Sequence, residues 1–216
     1  GSNEANMDAS AIRIMSYTSL KIEDKRFFEM VAGIGEMDID LSRDVSGGKN
    51  KGDRKGNQLF GSFTYLLEPD VEVVGRNLNY YSRLDLGFTQ LKAYTETGEG
   101  TAVVYKKQNV KSASLSAGLN FSKFIEIEKG IIEPSLKFEL GKDKTINSVS
   151  EAYYINNSSE IYSNALGDQN SGHLLLNLGI GAKLNNNLTI NVSYEHYRST
   201  DDAFNNNFSI YVRKPL

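Results

Sequence analysis

Apolar and polar residues alternate with a period of two along most of this chain, which restricts it to half-buried β-strands. From Ile131 the even positions read Ile132, Pro134, Leu136, Phe138 and Leu140, against Glu133, Ser135, Lys137 and Glu139. Ala113, Leu115, Ala117, Leu119 and Phe121 alternate with Ser112, Ser114, Ser116, Gly118, Asn120 and Ser122. His173–Leu184 puts Leu174, Leu176, Leu178, Ile180, Ala182 and Leu184 on one face. Leu188–Ser199, Phe208–Arg213 and Tyr80–Tyr94 repeat the pattern, and Phe28–Leu41 sets Met37, Ile39 and Leu41 against Glu36, Asp38 and Asp40. Ala11–Ile22 and Gln58–Leu67 are less regular, for a total of about nine or ten strands.

Composition narrows the class. Over 216 residues the charged fraction is 24% and the net charge -3, so no basic surface points to nucleic acid. Mean hydropathy is -0.41, and no apolar run approaches the roughly 20 residues of a membrane-spanning helix. A barrel is not excluded, because its strands alternate and average out as hydrophilic. Cysteine is absent, which avoids stray disulfides in an oxidising compartment. No signal peptide is visible, so an export signal is expected upstream.

Alternation alone fits two architectures. A soluble sandwich or barrel turns its apolar face inward, and an outer-membrane barrel turns it toward lipid. The connections separate them. Glu23–Arg26, Glu126–Gly130 and Asn185–Asn187 are short, while Asp44–Asn57, Thr95–Gln108 and Asp143–Gly172 are long; Glu68–Asn77 is intermediate and Asp201–Asn207 somewhat longer than a tight turn. Tight turns at one end and large loops at the other mark an antiparallel outer-membrane barrel. The lumen is then expected to hold a polar network of Glu36, Asp38, Asp40, Arg83, Asp85, Glu133, Lys137, Glu139, Lys183, Glu195 and Arg213. Glu36, Asp38 and Asp40 are expected to pair with Arg83 or Lys183. Residues 1–10 read as an extracellular loop or linker remnant and 11–216 as the barrel. An odd strand count implies that N-terminal strands lie upstream, or that one is hidden in residues 1–27, because bacterial single-chain barrels have even numbers.

The stretch YYSRLDLGFTQLKAYTETGEGTAVVYKKQNVKSASLSAGL, from Tyr80 to Leu119, resembles the autotransporter β-domain. Tyr94, Glu96 and Gly98 match its Y-x-E-x-G element, and Gly118 closes the S-x-x-x-G strand that follows. GIIEPSLKFE, with Pro134, is similar to another strand start of the family. RFFEMVAGIGEMDIDLSR and FGSFTYLLEP match its middle, and the segment from Leu178 to Leu216 its last hairpin and closing strand. The resemblance implies a translocator barrel of 12 strands with a pore helix, of which this chain carries roughly the last nine. It implies type V secretion: anchoring in the bacterial outer membrane with loops at the cell surface, export of an N-terminal passenger, and assembly by the barrel-assembly machinery. The end departs from the pattern: Leu216, after Lys214 and Pro215, stands where an aromatic residue is common. Either Leu216 substitutes for it or the assembly signal is weakened. A small porin- or adhesin-type barrel without a passenger, and a soluble binding module, are the other readings.

No residue pattern calls for an enzyme or a cofactor. His173 and His196 fall on separate strands, and a metal site needs several convergent ligands. Tyr94 and Glu96 are read as a structural contact where strand meets loop. The run from Gly47 to Gly56 departs from the phosphate-loop pattern and is read as a flexible extracellular loop whose four basic residues face lipopolysaccharide phosphates. Phe27, Phe28, Tyr80, Tyr81, Phe121, Phe124, Tyr194 and Tyr197, near strand ends, are read as interfacial girdles.

Overall fold

The computed structural model describes residues 5–46, 48–69, 77–98, 101–146, 149–165 and 170–214. Nine long strands form one antiparallel meander: β1 (Ala5–Glu23), β2 (Arg26–Val45), β3 (Gly48–Leu67), β4 (Asn77–Leu91), β8 (Gln108–Ser122), β10 (Gly130–Ile146), β13 (Asn170–Leu184), β14 (Thr189–Ser199) and β15 (Phe204–Arg213). Between them lie the short strands β5 (Tyr94–Thr95), β6 (Thr97–Gly98), β7 (Val103–Tyr105), β9 (Ile125–Ile127), β11 (Val149–Tyr154) and β12 (Asn157–Ala165). Each long strand pairs with its neighbour in this sequence order. Among the described residues β1 and β15 pair on one side only, and their residues are exposed throughout.

The sheet is curled. Side chains crowd together on one face, where Glu139, Ser116 and His173 are buried, and splay apart on the other, where Leu115, Leu140 and Ile180 are exposed, so the first face is concave. Across it the Tyr81 hydroxyl of β4 donates to Glu139 Oε2 of β10 at 2.5 Å, over the intervening β8. The registers place Tyr81, Gly118 and Glu139 in one row across this face.

The opposite, convex face carries the apolar belt. It runs through Ile34 and Met30 on β2, Leu59 and Phe63 on β3, Leu84 and Leu86 on β4, and Leu115 on β8. It continues through Leu140 and Leu136 on β10, Leu178 and Ile180 on β13, and Ile210 on β15. Many of these large side chains are exposed, including Ile34, Leu59, Leu115, Leu140, Leu178 and Ile180. A soluble protein does not present so wide an apolar surface.

Several expected loops are strand. β1 begins at Ala5, so residues 5–10 are ladder rather than linker. Asp44–Asn57 is not a flexible loop: β2 and β3 are each 20 residues long and pair from Val45–Gly48 down to Arg26–Leu67. About 9–11 residues cross a bilayer, so this hairpin runs well past the belt. Thr95–Gln108 and Asp143–Gly172 contribute β5, β7, β11 and β12, which form a second, four-stranded sheet at the long-loop end. At the tight turns Asn187 and Asp202 take left-handed backbone, which Asn and Asp tolerate better than most residues.

Candidate functional site: the concave face and its loop anchor

The concave face is organised around Glu139, whose side chain is 1% exposed. Its Oε1 accepts from Arg83 Nη2 at 2.9 Å and faces His173 Nε2 at 3.3 Å. Its Oε2 accepts from Tyr81 and lies 3.5 Å from Lys137 Nζ. Arg83 also donates to Asp85 at 2.9 Å, and His173 Nδ1 meets Asp143 at 2.6 Å. Neighbouring strands make room for this crossing. The inner positions of β8 are Ser112, Ser114, Ser116 and Gly118. A Cβ at Gly118 would stand 2.6 Å from the Tyr81 ring and 2.5 Å from the Phe138 carbonyl oxygen, so only glycine admits the tyrosine. Among the described residues the buried Ser116 hydroxyl has no hydrogen-bond partner.

A second polar cluster anchors the loops to the inner face of the β2–β3 extension. Glu96, 6% exposed, receives a bidentate pair from Arg43 at 2.8 and 2.7 Å. It also accepts from the Val103 amide at 3.0 Å and from Asn50 Nδ2 at 3.3 Å. Burial pushes the Glu96 carboxyl up, but Arg43, the Val103 amide and Asn50 outweigh it and hold it below the ordinary glutamate value. Tyr94 stacks on Tyr105 with ring centroids 4.7 Å apart and lies under the Arg54 guanidinium, 5.6 Å away. Arg54 in turn donates to the carbonyl oxygens of Lys92 and Lys106 at 3.0 Å. Gly98 has φ +153°, and a Cβ there would stand 2.4 Å from the Lys49 carbonyl oxygen. The Y-x-E-x-G element is thus a docked turn, with each of its three named residues making a distinct contact.

Arg83, Asp85, Glu133, Lys137, Glu139, Lys183, Glu195 and Arg213 share the concave face by register. Arg83, Asp85, Lys137 and Glu139 touch one another, and Glu195 accepts from Asn177 at 3.2 Å. Among the described residues Glu133, Lys183 and Arg213 form no ion pair. Glu36, Asp38 and Asp40 lie on the other face, which corrects the sequence reading. Within the belt β2 turns Phe28, Met30, Ala32 and Ile34 outward. Beyond it the outside is water and the inside is covered by the loop sheet, so apolar Met37, Ile39 and Leu41 point in and the acids point out. Asp38 lies 3.8 Å from Lys55 rather than near Arg83 or Lys183. The Asp40 carboxyl, hydrogen-bonded to Asp53 and repelled by it and by Asp8 and Asp38, is pushed up.

Of the aromatics expected at the interfaces, Phe28, Tyr80, Phe121 and Tyr194 face outward, whereas Phe27, Tyr81 and Tyr197 face inward. Phe124 is exposed in the connection after β8. His173 and His196 occupy opposite faces, and no group of metal ligands occurs among the described residues. Pro134 lies on the outer face of β10. Pro215 and Leu216 lie outside the described residues. The sequence reading missed Arg43, Asn50 and Arg54 as partners. Their signal was the inward series Asn50, Gly52, Arg54, Gly56, alternating with Lys49, Lys51, Asp53 and Lys55.

A curled antiparallel meander, apolar on its convex face and charged on its concave one, is the wall of an outer-membrane β-barrel. The sequence matches the family model of the autotransporter β-domain over residues 1–195. The fold is similar to the translocator domain of the autotransporter NalP from Neisseria meningitidis, with TM-score 0.68, 16% identity, and coverage of 98% of this chain and 68% of that one. No curated protein matches the sequence. The chain belongs to the autotransporter β-domain family. It is a translocator of the bacterial outer membrane that serves an N-terminal passenger.

Proposed function

We propose that the passenger crosses the membrane along the concave face around Glu139, and that Arg83, Asp85, Glu133, Lys137, Glu139, Lys183, Glu195 and Arg213 form the polar wall of that path. The observation that carries this reading is the division of faces: charged and hydrogen-bonded residues on the concave side, the apolar belt on the convex side. A polar lining presents an extended chain with hydrogen-bond partners of both signs, so that no single register of the passenger is trapped. Residues 11–216 act as one barrel domain, whose first strand begins at Ala5. The loop sheet, pinned by Tyr94 and Glu96, narrows the cell-surface mouth. Phe208, Ile210 and Val212 on β15 supply the alternating strand that the barrel-assembly machinery takes up, and the outer leaflet supplies lipopolysaccharide as a neighbour.

The chain acts by transport rather than catalysis. Asp143 and His173 are aligned as a base and its orienting acid would be, but Nε2 faces Glu139 and the neighbouring Ser116 hydroxyl is sealed from solvent.

Photo-crosslinking of a stalled passenger tests the path. A crosslinker at Asn177, on the concave face, is expected to capture the passenger, and one at Leu178, on the convex face, to capture lipid. Capture of passenger from Leu178 and not from Asn177 would overturn the reading.

A further inference from the structure

The run from Gly47 to Gly56 offers no cluster of free cations: Lys49 lies 3.6 Å from Asp44, Lys55 lies 3.8 Å from Asp38, Arg54 is buried under the loop sheet, and Lys51 alone is exposed without an ion pair among the described residues. Other exposed cations without an ion pair among the described residues, such as Lys183 and Arg213, face the concave side, whereas Lys111 on β8 and Lys142 and Lys144 on β10 stand close together. All three project from the convex face. On β10 the outward series runs Ile132, Pro134, Leu136, Phe138, Leu140 and then Lys142 and Lys144, so the lysines begin where the belt ends. Lys144 pairs with Ala113, Lys142 with Leu115 and Lys111 with Ile146, which places them within one strand pair. On β13 the residues facing Lys142 and Lys144 are Gly172 and Asn170, neither of them acidic.

An apolar groove leads away from this cluster. It is an open depression of about 530 Å³ whose lining includes Ala32, Leu59, Gly61, Leu86 and Ala113, with Lys111 and Ile146 at one end. Its floor is a ladder row: Ala32 pairs with Gly61, Gly61 with Leu86, Leu86 with Ala113, and Ala113 with Lys144. The adjacent row, Ile34, Leu59, Phe88, ends on Lys111. Small side chains at 32, 61 and 113 leave hollows in the row on either side of Leu86, which is exposed within it, and Leu115 stands exposed at its flank. Barrel strands tilt by about 35–45°, so a row across them descends through the bilayer. It starts at the headgroup level at Lys144 and reaches mid-belt at Ala32, four strand spacings or about 19 Å away.

We propose that this groove and the lysine cluster bind a phosphorylated glycolipid of the outer leaflet. Its phosphates would sit on Lys111, Lys142 and Lys144, and one acyl chain would lie along the row from Ala113 to Ala32. Three cations beside one groove match a headgroup carrying more than one phosphate better than a singly charged phospholipid, because ammonium–phosphate hydrogen bonds are charge-assisted. The proposal rests on the outer-membrane reading of the convex face.

Native mass spectrometry of the full chain in detergent tests it. The probes are hexa-acylated lipid A with two phosphates, the same lipid dephosphorylated, and phosphatidylglycerol. The expected result is a discrete adduct with phosphorylated lipid A, weakened about tenfold in Lys111→Gln/Lys144→Gln. Gly61→Phe, which fills the groove, is expected to weaken it too, and Lys51→Gln/Lys55→Gln to leave it unchanged. Because the lysines are exposed, their variants decide the matter even if Gly61→Phe fails to fold. Equal binding of dephosphorylated lipid A, equal binding of phosphatidylglycerol, or an unchanged adduct in the double lysine variant would overturn the proposal. Heat-modifiable migration of the unsubstituted chain is read first. If that is absent, the barrel reading itself fails and takes this one with it; if it is present, the adduct alone decides.

Discussion

Arg43 and Glu96 meet in a two-pronged ion pair, at 2.8 and 2.7 Å, that ties the turn after β5 to the inner face of β2. Little water reaches Glu96, so removing it leaves Arg43 and the Val103 amide without their acceptor. Glu96→Ala is therefore expected to cost about 1–3 kcal/mol locally. The loop sheet should open while the nine-strand meander stays intact. Faster amide exchange at Val103 and quicker proteolysis near residues 101–107, with unchanged heat-modifiable migration, are the expected readings. An unchanged loop would show that Tyr94 and Arg54 hold it without Glu96.

The same pair predicts a pH dependence. The folded Glu96 carboxyl sits below its ordinary value of 4.5, set by Arg43, the Val103 amide and Asn50 against the opposing effect of burial. A lowered carboxylate contributes stability above its unfolded pKa and loses it as pH falls through the folded one. The loop should hold fully at pH above about 5 and loosen progressively in more acidic buffer. Exchange at Val103, followed against pH, should accelerate on the acid side only, and Glu96→Gln should abolish that dependence.

How the faces were legible from sequence depended on what lay behind them. Period-two alternation located all nine long strands because each crosses the belt, where the contrast between lipid and lumen is strongest. On β4, β8, β10 and β13 the alternation runs in one phase along the whole strand, and the registers set Arg83 and Glu139 on one face. On β2 the reading was anchored on Met37, Ile39 and Leu41, which lie past the belt. There the polarity rule inverts, because loops cover the inside and water covers the outside. The run from Gly47 to Gly56 reads as a loop because its glycines and lysines carry no apolar signal, although Asn50, Gly52, Arg54 and Gly56 alternate as strictly as any strand. The Glu96–Arg43 pair spans 53 residues, and only the long β2–β3 hairpin brings the two side chains together.

Gly118 gives a prediction about packing. A methyl group there meets Tyr81 and the backbone oxygen of Phe138. Gly118→Ala should displace Tyr81 from Glu139 and cost about 1–3 kcal/mol through overpacking. Urea unfolding in detergent should show the loss, and Tyr81→Phe should lose less, since the ring keeps its place over the glycine.

Glu139 is the acceptor shared by Tyr81 and Arg83 and lies close to Lys137 and His173. Removing one partner of a buried ion pair costs about 3–5 kcal/mol, because a charge is left uncompensated. Glu139→Ala should fall in that range in the same unfolding assay, and Glu139→Gln, which keeps hydrogen-bond acceptance, should lose less.

The most direct test of the central claim is a comparison of neighbouring positions on β10 by heat-modifiable migration and urea unfolding of the chain folded in detergent or liposomes. Leu136 faces outward in mid-belt, and Ser135 faces the concave side. If the convex face meets lipid, the unsubstituted chain shifts on boiling, Leu136→Arg loses about 2–4 kcal/mol, and Ser135→Arg loses much less. If the chain is monodisperse without detergent, shows no shift, and Ser135→Arg is the more damaging change, then the apolar face points into a soluble core and the outer-membrane account is wrong.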